Sequence, residues 1–278
     1  FLCTVNERYD MTIYIFYHPD TDGITAAATV RYAARDLWPG ARFEYVRHGY
    51  LTEDKRLQTL IPDDDTRIFA VDISFCPATI LRLQRLFGER FVWIDHHVSA
   101  IERWAATGHE EPAGIRDVSH SAAWLTWYYF FERQAPLAIE LADKYDLWQR
   151  DDTWETQTYP WQLVVSNRFG DPRHYDLRVL DDNALLHGYI RHYGEPMLAY
   201  ERQLRRREAP YVHYGPPTIY INCSLSTLRC AIRRLLPHGI GAIRRSKRTV
   251  IWSGSSYLPC GGSCRSIPHP APRSTLRR

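Results

Sequence analysis

Residues 91 to 97 read Phe91-Val92-Trp93-Ile94-Asp95-His96-His97. The four apolar residues are typical of a buried β-strand, so the three ionisable residues come where that strand ends. Burying an aspartate and two histidines costs free energy unless a metal ion or a polar partner satisfies them. The stretch therefore predicts a buried strand that carries a chemical site at its carboxyl end.

Two other predicted strands also end in ionisable residues. The run 11–17 (MTIYIFY) is followed by His18-Pro19-Asp20-Thr21-Asp22, and the run 67–73 (RIFAVDI) contains Asp72 near its end. Carboxyl ends of parallel strands meet at one edge of a sheet, where ligands bind. We therefore expect the three clusters to form one site.

Helical patterns separate these strands along the chain. The sequence predicts helices over 24–37, 53–60 and 77–87 and a further strand over 41–47. Strands that alternate with helices at this spacing predict an α/β fold with a parallel sheet flanked by helices. Two more helices are expected over 121–133 and 136–149, and we interpret their many aromatic residues as core packing rather than as platforms for base stacking.

The remaining sequence divides the chain into regions. We expect a leader over 1–10, a site-bearing α/β domain over 11–180, a helical linker over 181–210 and a small, partial α/β C-terminal domain over 211–278. Within the last region, 210–217 is predicted as a connecting segment and 218–223 as a strand, and the tail has the composition of a disordered segment.

The charge changes sign along the chain. Residues 1–200 carry 20 Lys and Arg against 30 Asp and Glu, a net charge of −10, whereas residues 201–278 carry 15 against two, a net charge of +13. An acidic part with a site and a basic part fit a metal centre beside a surface for an anionic substrate. A disturbed reading frame at the C-terminus is the alternative explanation of the basic end.

Composition excludes several classes of protein. No apolar run approaches the ~20 residues of a membrane span, so no membrane partner is expected. The first residues lack a secretory signal, which favours a cytoplasmic location. Six cysteines at irregular spacing do not indicate a disulfide framework in a chain of this length.

The donor types indicate a transition metal. In His18-x-Asp20-x-Asp22 alternate residues of an extended segment point to one side, and Gly23 is expected to permit a tight turn into the next helix. Imidazole together with carboxylate suits Mn, Fe or Zn better than Ca²⁺, which prefers oxygen alone. Taken singly, Asp20 and Asp22 are also ordinary turn residues, and Asp72 is also a plausible helix N-cap.

These motifs resemble the DHH phosphoesterase family. The resemblance rests on His18-Pro-Asp20-Thr-Asp22-Gly23, on Asp72, on Asp95-His96-His97 and on a later acidic helix, in this order over about residues 11–225. It implies a centre of two metal ions, usually Mn²⁺, with Mg²⁺, Co²⁺ or Fe as alternatives. One ion would be bound by His18, Asp20 and Asp72, and the other by Asp22, Asp72, His96 and Asp143. For the last ligand Asp143 is preferred over Asp146, to which a structural role is assigned.

The resemblance also implies an activity. We expect a phosphodiesterase that hydrolyses short RNA or DNA oligonucleotides, or small nucleotide phosphates, with a water activated by two metal ions. His97 would contact the phosphate or protonate the leaving oxygen, and Asp95 would orient a histidine. The backbone amides of His120 and Ser121 would hold phosphate at a helix start, although a surface or capping role for His120 is the simpler interpretation.

Alternatives concern both the reaction and the C-terminal region. A phosphomonoesterase or pyrophosphatase would use the same centre, and a homodimer is left open. Cys260-Gly261-Gly262-Ser263-Cys264 is not the Gly-Gly-Gly-His-like loop with which family members grip the far end of a substrate. A catalytically impaired protein that binds metal or nucleotide is therefore the third alternative.

Overall fold

The computed structural model describes residues 11–49, 57, 60 and 64–208 and four short strands between residues 212 and 253. The chain divides into two compact units, Phe1–Tyr200 and Glu201–Arg278. The expected leader over 1–10, most of the predicted helix over 53–60 and the C-terminal tail lie outside the described residues.

The first unit contains a parallel sheet of four strands. These strands are β1 (Thr12–Tyr17), β2 (Arg42–Arg47), β3 (Thr66–Val71) and β4 (Phe91–Ile94). Their order is β2-β1-β3-β4, and all pairs are parallel. The chain moves outward from β1 to β2 and then returns to the other side of β1, so the strand order reverses between β1 and β3. The predicted α/β fold with a parallel sheet is confirmed.

Helices surround this sheet and continue beyond it. They are α1 (Thr21–Leu37), α2 (Pro77–Phe87), α3 (Val98–Ala105), α4 (Ala122–Phe131), α5 (Leu137–Asp146), α6 (Tyr159–Leu163), α7 (Asn183–Tyr189) and α8 (Glu195–Glu208). Wider π-helical turns flank α6 at Trp154–Thr158 and Val164–Phe169 and join α7 to α8 at Ile190–Gly194. Short 3₁₀ turns occupy Gly88–Arg90, Pro172–His174 and Leu177–Leu180.

Two predicted boundaries are wrong for local reasons. Helix α1 begins at Thr21 rather than at residue 24, because Asp20 is its N-cap and accepts the backbone N–H of Gly23. Helix α5 ends at Asp146 rather than at residue 149, because Trp148 has a left-handed backbone with φ +56°. A residue in this conformation cannot continue an α-helix.

The core of the first unit is rich in aromatic residues. Trp127 and Trp161 are 2% and 0% exposed, and Trp93 and Trp104 are buried in the second of two apolar clusters. Of the aromatic residues over 121–149 that are predicted to pack in the core, Trp127 is confirmed as a core residue. Trp148, in contrast, is 47% exposed.

The second unit contains an antiparallel sheet. Its strands are β5 (Val212–Gly215), β6 (Thr218–Ile221), β7 (Ala242–Arg245) and β8 (Val250–Ser253), in the order β5-β6-β8-β7. The predicted strand over 218–223 thus corresponds to β6. The prediction of a connecting segment over 210–217 is wrong in part, because Val212–Gly215 pairs with β6.

Among the helices that the structure describes, none is long and apolar enough to cross a membrane.

Candidate metal centre

Strand register brings the three predicted clusters to one edge. Tyr17 pairs with Val71, and Val71 pairs with Ile94. The residues that follow the paired positions, namely His18, Asp72 and Asp95, therefore emerge side by side at the carboxyl ends of β1, β3 and β4. This edge includes the point between β1 and β3 where the strand order reverses, which is where open α/β sheets bind ligands.

His18, Asp20 and Asp72 form the first group of potential ligands. His18 Nδ1 lies 2.7 Å from Asp20 Oδ2 and 3.8 Å from Asp72 Oδ2. One donor atom from each residue lies within 4.8 Å of the others, so the three atoms can surround one ion. The resemblance to the DHH phosphoesterases implies the same three residues as ligands of one metal ion.

Asp22, His96 and Asp146 form the second group. His96 Nε2 lies 3.6 Å from Asp22 Oδ2 and 3.5 Å from Asp146 Oδ2. The same nitrogen lies 3.3 Å from Asp72 Oδ1, so Asp72 stands between the two groups.

The backbone of Asp72 aims its side chain at the site. Asp72 has φ +57°, a left-handed conformation that only a small fraction of residues other than glycine adopt. Its N–H donates to the carbonyl of Ile94 at 3.0 Å, which ties the turn after β3 to the end of β4. The side chain is 1% exposed. Strained backbone of this kind concentrates at functional sites.

Asp95 organises the two histidines that follow it. Its Oδ1 accepts the backbone N–H of His96 at 2.8 Å and that of His97 at 3.2 Å, and it lies 2.7 Å from His97 Nδ1. Asp95 is fully buried. The carboxylate therefore fixes the turn after β4 and the orientation of the His97 ring.

The acidic helix α5 contributes differently from the prediction. Asp143 Oδ1 accepts the backbone N–H of Ser121 at 2.6 Å, and its Oδ2 lies 2.9 Å from His120 Nδ1. Asp146, one helical turn later, lies beside His96. The geometry thus replaces Asp143 with Asp146 among the potential ligands, because Asp143 is directed at the start of α4.

Two aspartate side chains accept the backbone N–H groups at the start of α4. The backbone N–H groups of Ala122 and Ala123 donate to Asp22 Oδ2 and Oδ1, each at 2.8 Å. The N–H of Ser121, one of the two amides expected to hold phosphate, donates to Asp143 Oδ1. The prediction that the Ser121 amide binds phosphate is therefore wrong, since a carboxylate of the chain already accepts that hydrogen bond.

The donor set fits divalent cations. Burial raises the pKa of Asp22 well above its usual range, and the neighbouring Asp146 and Asp20 raise it further. Burial also raises the pKa of Asp72 well above its usual range, with Asp22 the next cause, and burial together with Asp20 raises the pKa of Asp146 to about 6. So many carboxylates in a buried space are unfavourable without positive charge. Imidazoles and carboxylates together suit Mn²⁺, Fe²⁺ or Zn²⁺.

Gly23 keeps the first motif compact. A Cβ atom at this position would lie 2.2 Å from the carbonyl oxygen of His18. Gly23 lies inside the first turn of α1, so the expected role in a tight turn is replaced by close contact between two backbone segments.

The segment that carries most of these residues resembles a known protein family. Residues 11–144, just under half of the chain, match the family described as the DHH family, N-terminal domain. Residues 11–144 are therefore similar to the N-terminal domain of the DHH family, whose members are phosphoesterases. No curated protein shows significant sequence similarity to it.

Several solved structures are similar to the chain at low identity. An uncharacterised protein from Helicobacter pylori G27 is 12% identical, and the alignment covers 87% of this chain and 93% of that one with a TM-score of 0.47. The DHH domain of a member of a family of ribosomal proteins is 12% identical, with coverage of 88% and 83% and a TM-score of 0.44. An exonuclease RecJ bound to manganese is 15% identical, with coverage of 88% and 86% and a TM-score of 0.40.

Proposed function

We propose that the protein is a Mn²⁺-dependent phosphodiesterase that hydrolyses short oligonucleotides or small nucleotide phosphates. The observation that carries this proposal is the position of Asp72 between two groups of potential ligands. Its Oδ2 lies 3.8 Å from His18 Nδ1, and its Oδ1 lies 3.3 Å from His96 Nε2. A carboxylate with one oxygen toward each group is suited to bridging two cations.

The ligand sets follow from the two groups. One ion would be held by His18, Asp20 and Asp72. The other would be held by Asp22, His96 and Asp146, together with Asp72, whose Oδ1 lies 3.3 Å from His96 Nε2. Two divalent cations supply a water of lowered pKa and positive charge for the phosphoryl oxygens. Mn²⁺ is the proposed metal, and Mg²⁺, Co²⁺ and Fe²⁺ are the alternatives that the activity assay should compare.

The pKa values of the two adjacent histidines shift in opposite directions, which supports different roles. Burial and the neighbouring His97 lower the pKa of His96, so its imidazole is neutral and able to ligate a metal. Burial lowers the pKa of His97 too, but the hydrogen bond and charge of Asp95 outweigh this effect and raise it overall. We assign His97 to contact the substrate phosphate and to donate a proton to the leaving oxygen.

Asp95 acts through His97 and is a positioning residue. Its Oδ1 lies 2.7 Å from His97 Nδ1 and accepts the backbone N–H groups of both histidines. With its Nδ1 proton directed at Asp95, the His97 ring presents Nε2 to the substrate. Such carboxylate partners of active-site histidines fix both the tautomer and the ring orientation.

Asp143 and His120 form a second pair of this kind. His120 Nδ1 lies 2.9 Å from Asp143 Oδ2, and the His120 ring stacks on Trp124 with centroids 3.6 Å apart and an interplanar angle of 9°. Both contacts fix the ring, whose side chain is 35% exposed. We propose that the His120 side chain, rather than the Ser121 amide, contacts substrate phosphate.

Release of nucleotides from an end-labelled five-mer RNA tests the proposal. With added Mn²⁺ the wild-type protein should shorten the RNA, and with EDTA it should not. Asp72→Ala should abolish turnover because it removes the shared ligand, whereas Asp152→Ala, which changes an exposed carboxylate, should leave it unchanged. Circular dichroism establishes that both variants fold.

Other outcomes separate the alternatives. Release of inorganic phosphate from a nucleoside monophosphate or from pyrophosphate, without shortening of RNA, would replace the phosphodiesterase with a phosphomonoesterase or pyrophosphatase. Bound Mn²⁺ without turnover of any of these substrates would favour an impaired metal-binding protein.

The assembly and location of the protein are also proposals. The domain over 11–180 is proposed as the catalytic domain, with 181–210 as helical linker and 211–278 as a truncated or atypical substrate domain. A homodimer and a cytoplasmic location stay predictions, which mass in solution and cell fractionation would test.

A further inference from the structure

Trp148 lies on the surface just after a potential metal ligand. It is 47% exposed, whereas Trp127 and Trp161 of the same unit are almost completely buried. Asp146, whose Oδ2 lies 3.5 Å from His96 Nε2, precedes it by two residues. Since consecutive Cα atoms are about 3.8 Å apart, the Trp148 backbone lies within ~8 Å of the Asp146 backbone.

The backbone at Trp148 does not favour a tryptophan. Helix α5 ends in a Schellman motif, in which Gln149 N–H donates to Lys144 O at 2.9 Å and Trp148 N–H donates to Tyr145 O at 3.3 Å. Trp148 occupies the left-handed position of this motif, with φ +56°. Glycine or asparagine is the usual residue there, because a Cβ atom is strained in this conformation. A bulky aromatic residue therefore occupies this position against the local backbone preference.

The Trp148 ring contacts neighbouring side chains of the same unit. Its ring is nearly parallel to that of Trp154, with centroids 5.5 Å apart and an interplanar angle of 22°. The Arg150 guanidinium lies 4.9 Å from the Trp148 centroid and 5.1 Å from the Trp154 centroid. Tyr145 also contacts the ring, with centroids 5.9 Å apart. These contacts leave Trp148 47% exposed, beside the positive charge of Arg150.

We propose that Trp148 stacks on a nucleobase of the substrate and that Arg150 contacts its phosphodiester backbone. This inference deepens the proposed function, on which it rests, by assigning a base-binding position next to the metal centre. Aromatic stacking together with a guanidinium is the chemistry by which proteins bind single-stranded nucleic acid without reading its sequence. The interpretation of all aromatic residues over 121–149 as core is corrected at this position.

A pair of ligands that differ only in the base provides the test. Adenosine 5′-monophosphate and ribose 5-phosphate are titrated into the full chain with Mn²⁺ present, and binding is measured by calorimetry. The wild-type protein should bind adenosine 5′-monophosphate more tightly. Trp148→Gly should weaken that binding about tenfold, as expected for loss of one stacked base, and should leave ribose 5-phosphate unchanged.

Stability distinguishes this role from a structural one. Glycine suits the left-handed backbone, which offsets the loss of the contacts with Trp154 and Arg150, so Trp148→Gly should change the melting temperature little. Trp148→Asn serves as a second variant compatible with that conformation. Trp148→Phe should retain most of the preference for the base. Tyr200→Ala, which removes an aromatic side chain that is 63% exposed on α8, should change neither affinity.

Several results would overturn the inference. These are equal affinity of the wild-type protein for both ligands, unchanged preference in Trp148→Gly, or equal weakening of both ligands in Trp148→Gly and Trp148→Asn. In one outcome the wild-type protein shortens no RNA and still binds adenosine 5′-monophosphate more tightly than ribose 5-phosphate, with this preference lost in Trp148→Gly. In that case the proposed function fails and the base-binding site stands. If RNA is shortened and Trp148 does not affect the preference, only the base site fails.

Discussion

Asp22 Oδ1 accepts the backbone N–H of Ala123 at 2.8 Å, across 101 residues of chain. Its other oxygen accepts the N–H of Ala122 at the same distance and lies 3.6 Å from His96 Nε2. One carboxylate therefore caps α4 and also faces the candidate metal centre. Helix packing and metal binding are coupled through this side chain, which is 2% exposed.

Asp22→Asn should destabilise the protein in the absence of metal. An asparagine amide has only one carbonyl oxygen, so one of the two buried N–H groups loses its acceptor, at a cost of about 1–3 kcal/mol. We expect this loss to exceed the relief of repulsion between Asp22 and the neighbouring Asp146 and Asp20. Urea unfolding in EDTA measures this change. Asp36→Asn is the control, because Asp36 is exposed near the end of α1, the helix that also contains Asp22, and this change should affect stability little. Equal stability of both variants would contradict the capping role.

Asp146→Asn should reduce the number of bound Mn²⁺ ions by one, because Asp146 lies beside His96 in the second group of ligands. Asp143→Asn should leave that number unchanged, since Asp143 contacts Ser121 and His120 instead. Titration followed by electron paramagnetic resonance of free Mn²⁺ counts the ions. The reverse result would restore Asp143 as the ligand.

Gly23→Ala should impair both folding and metal binding. The new Cβ would lie 2.2 Å from the His18 carbonyl oxygen, and relieving such overpacking typically costs about 1–3 kcal/mol. Gly188→Ala in α7 is the matched control, because its Cβ meets no atom within 4 Å. Alanine is the better helix former, so that variant should gain about 0.5–1 kcal/mol. Thermal unfolding checks the prediction: the melting temperature should fall for Gly23→Ala and rise for Gly188→Ala.

Removal of metal should lower the stability of the wild-type protein. An ion that binds only the folded state at 100 times its dissociation constant contributes about 2.7 kcal/mol. Unfolding in Mn²⁺ and in EDTA gives the difference. Asp72→Ala, which lacks the shared ligand, should respond much less, and an identical response of both proteins would place the stabilising ion elsewhere.

Much of the site was predictable because strand ends carry a local signal. His18, Asp20, Asp22, Asp72 and His96 each follow or end an apolar run, and parallel pairing necessarily brings such ends together. Asp143 and Asp146 carry no comparable signal. They are three residues apart on α5 and share a face of that helix, so their spacing alone cannot say which one reaches His96.

The sequence by itself determined the parallel sheet, the edge at which the ligands gather and the types of metal donor, because periodicity and strand-end chemistry are local properties. Only the tertiary structure decided how the carboxylates are used. Asp143 is directed at Ser121 and Asp146 at His96 because α4 and α5 pack in one particular way. The same packing places the Asp22 carboxylate against the first amides of α4. A local sequence pattern in α1 or in α4 cannot predict this contact, because the residues are about 100 positions apart in the chain.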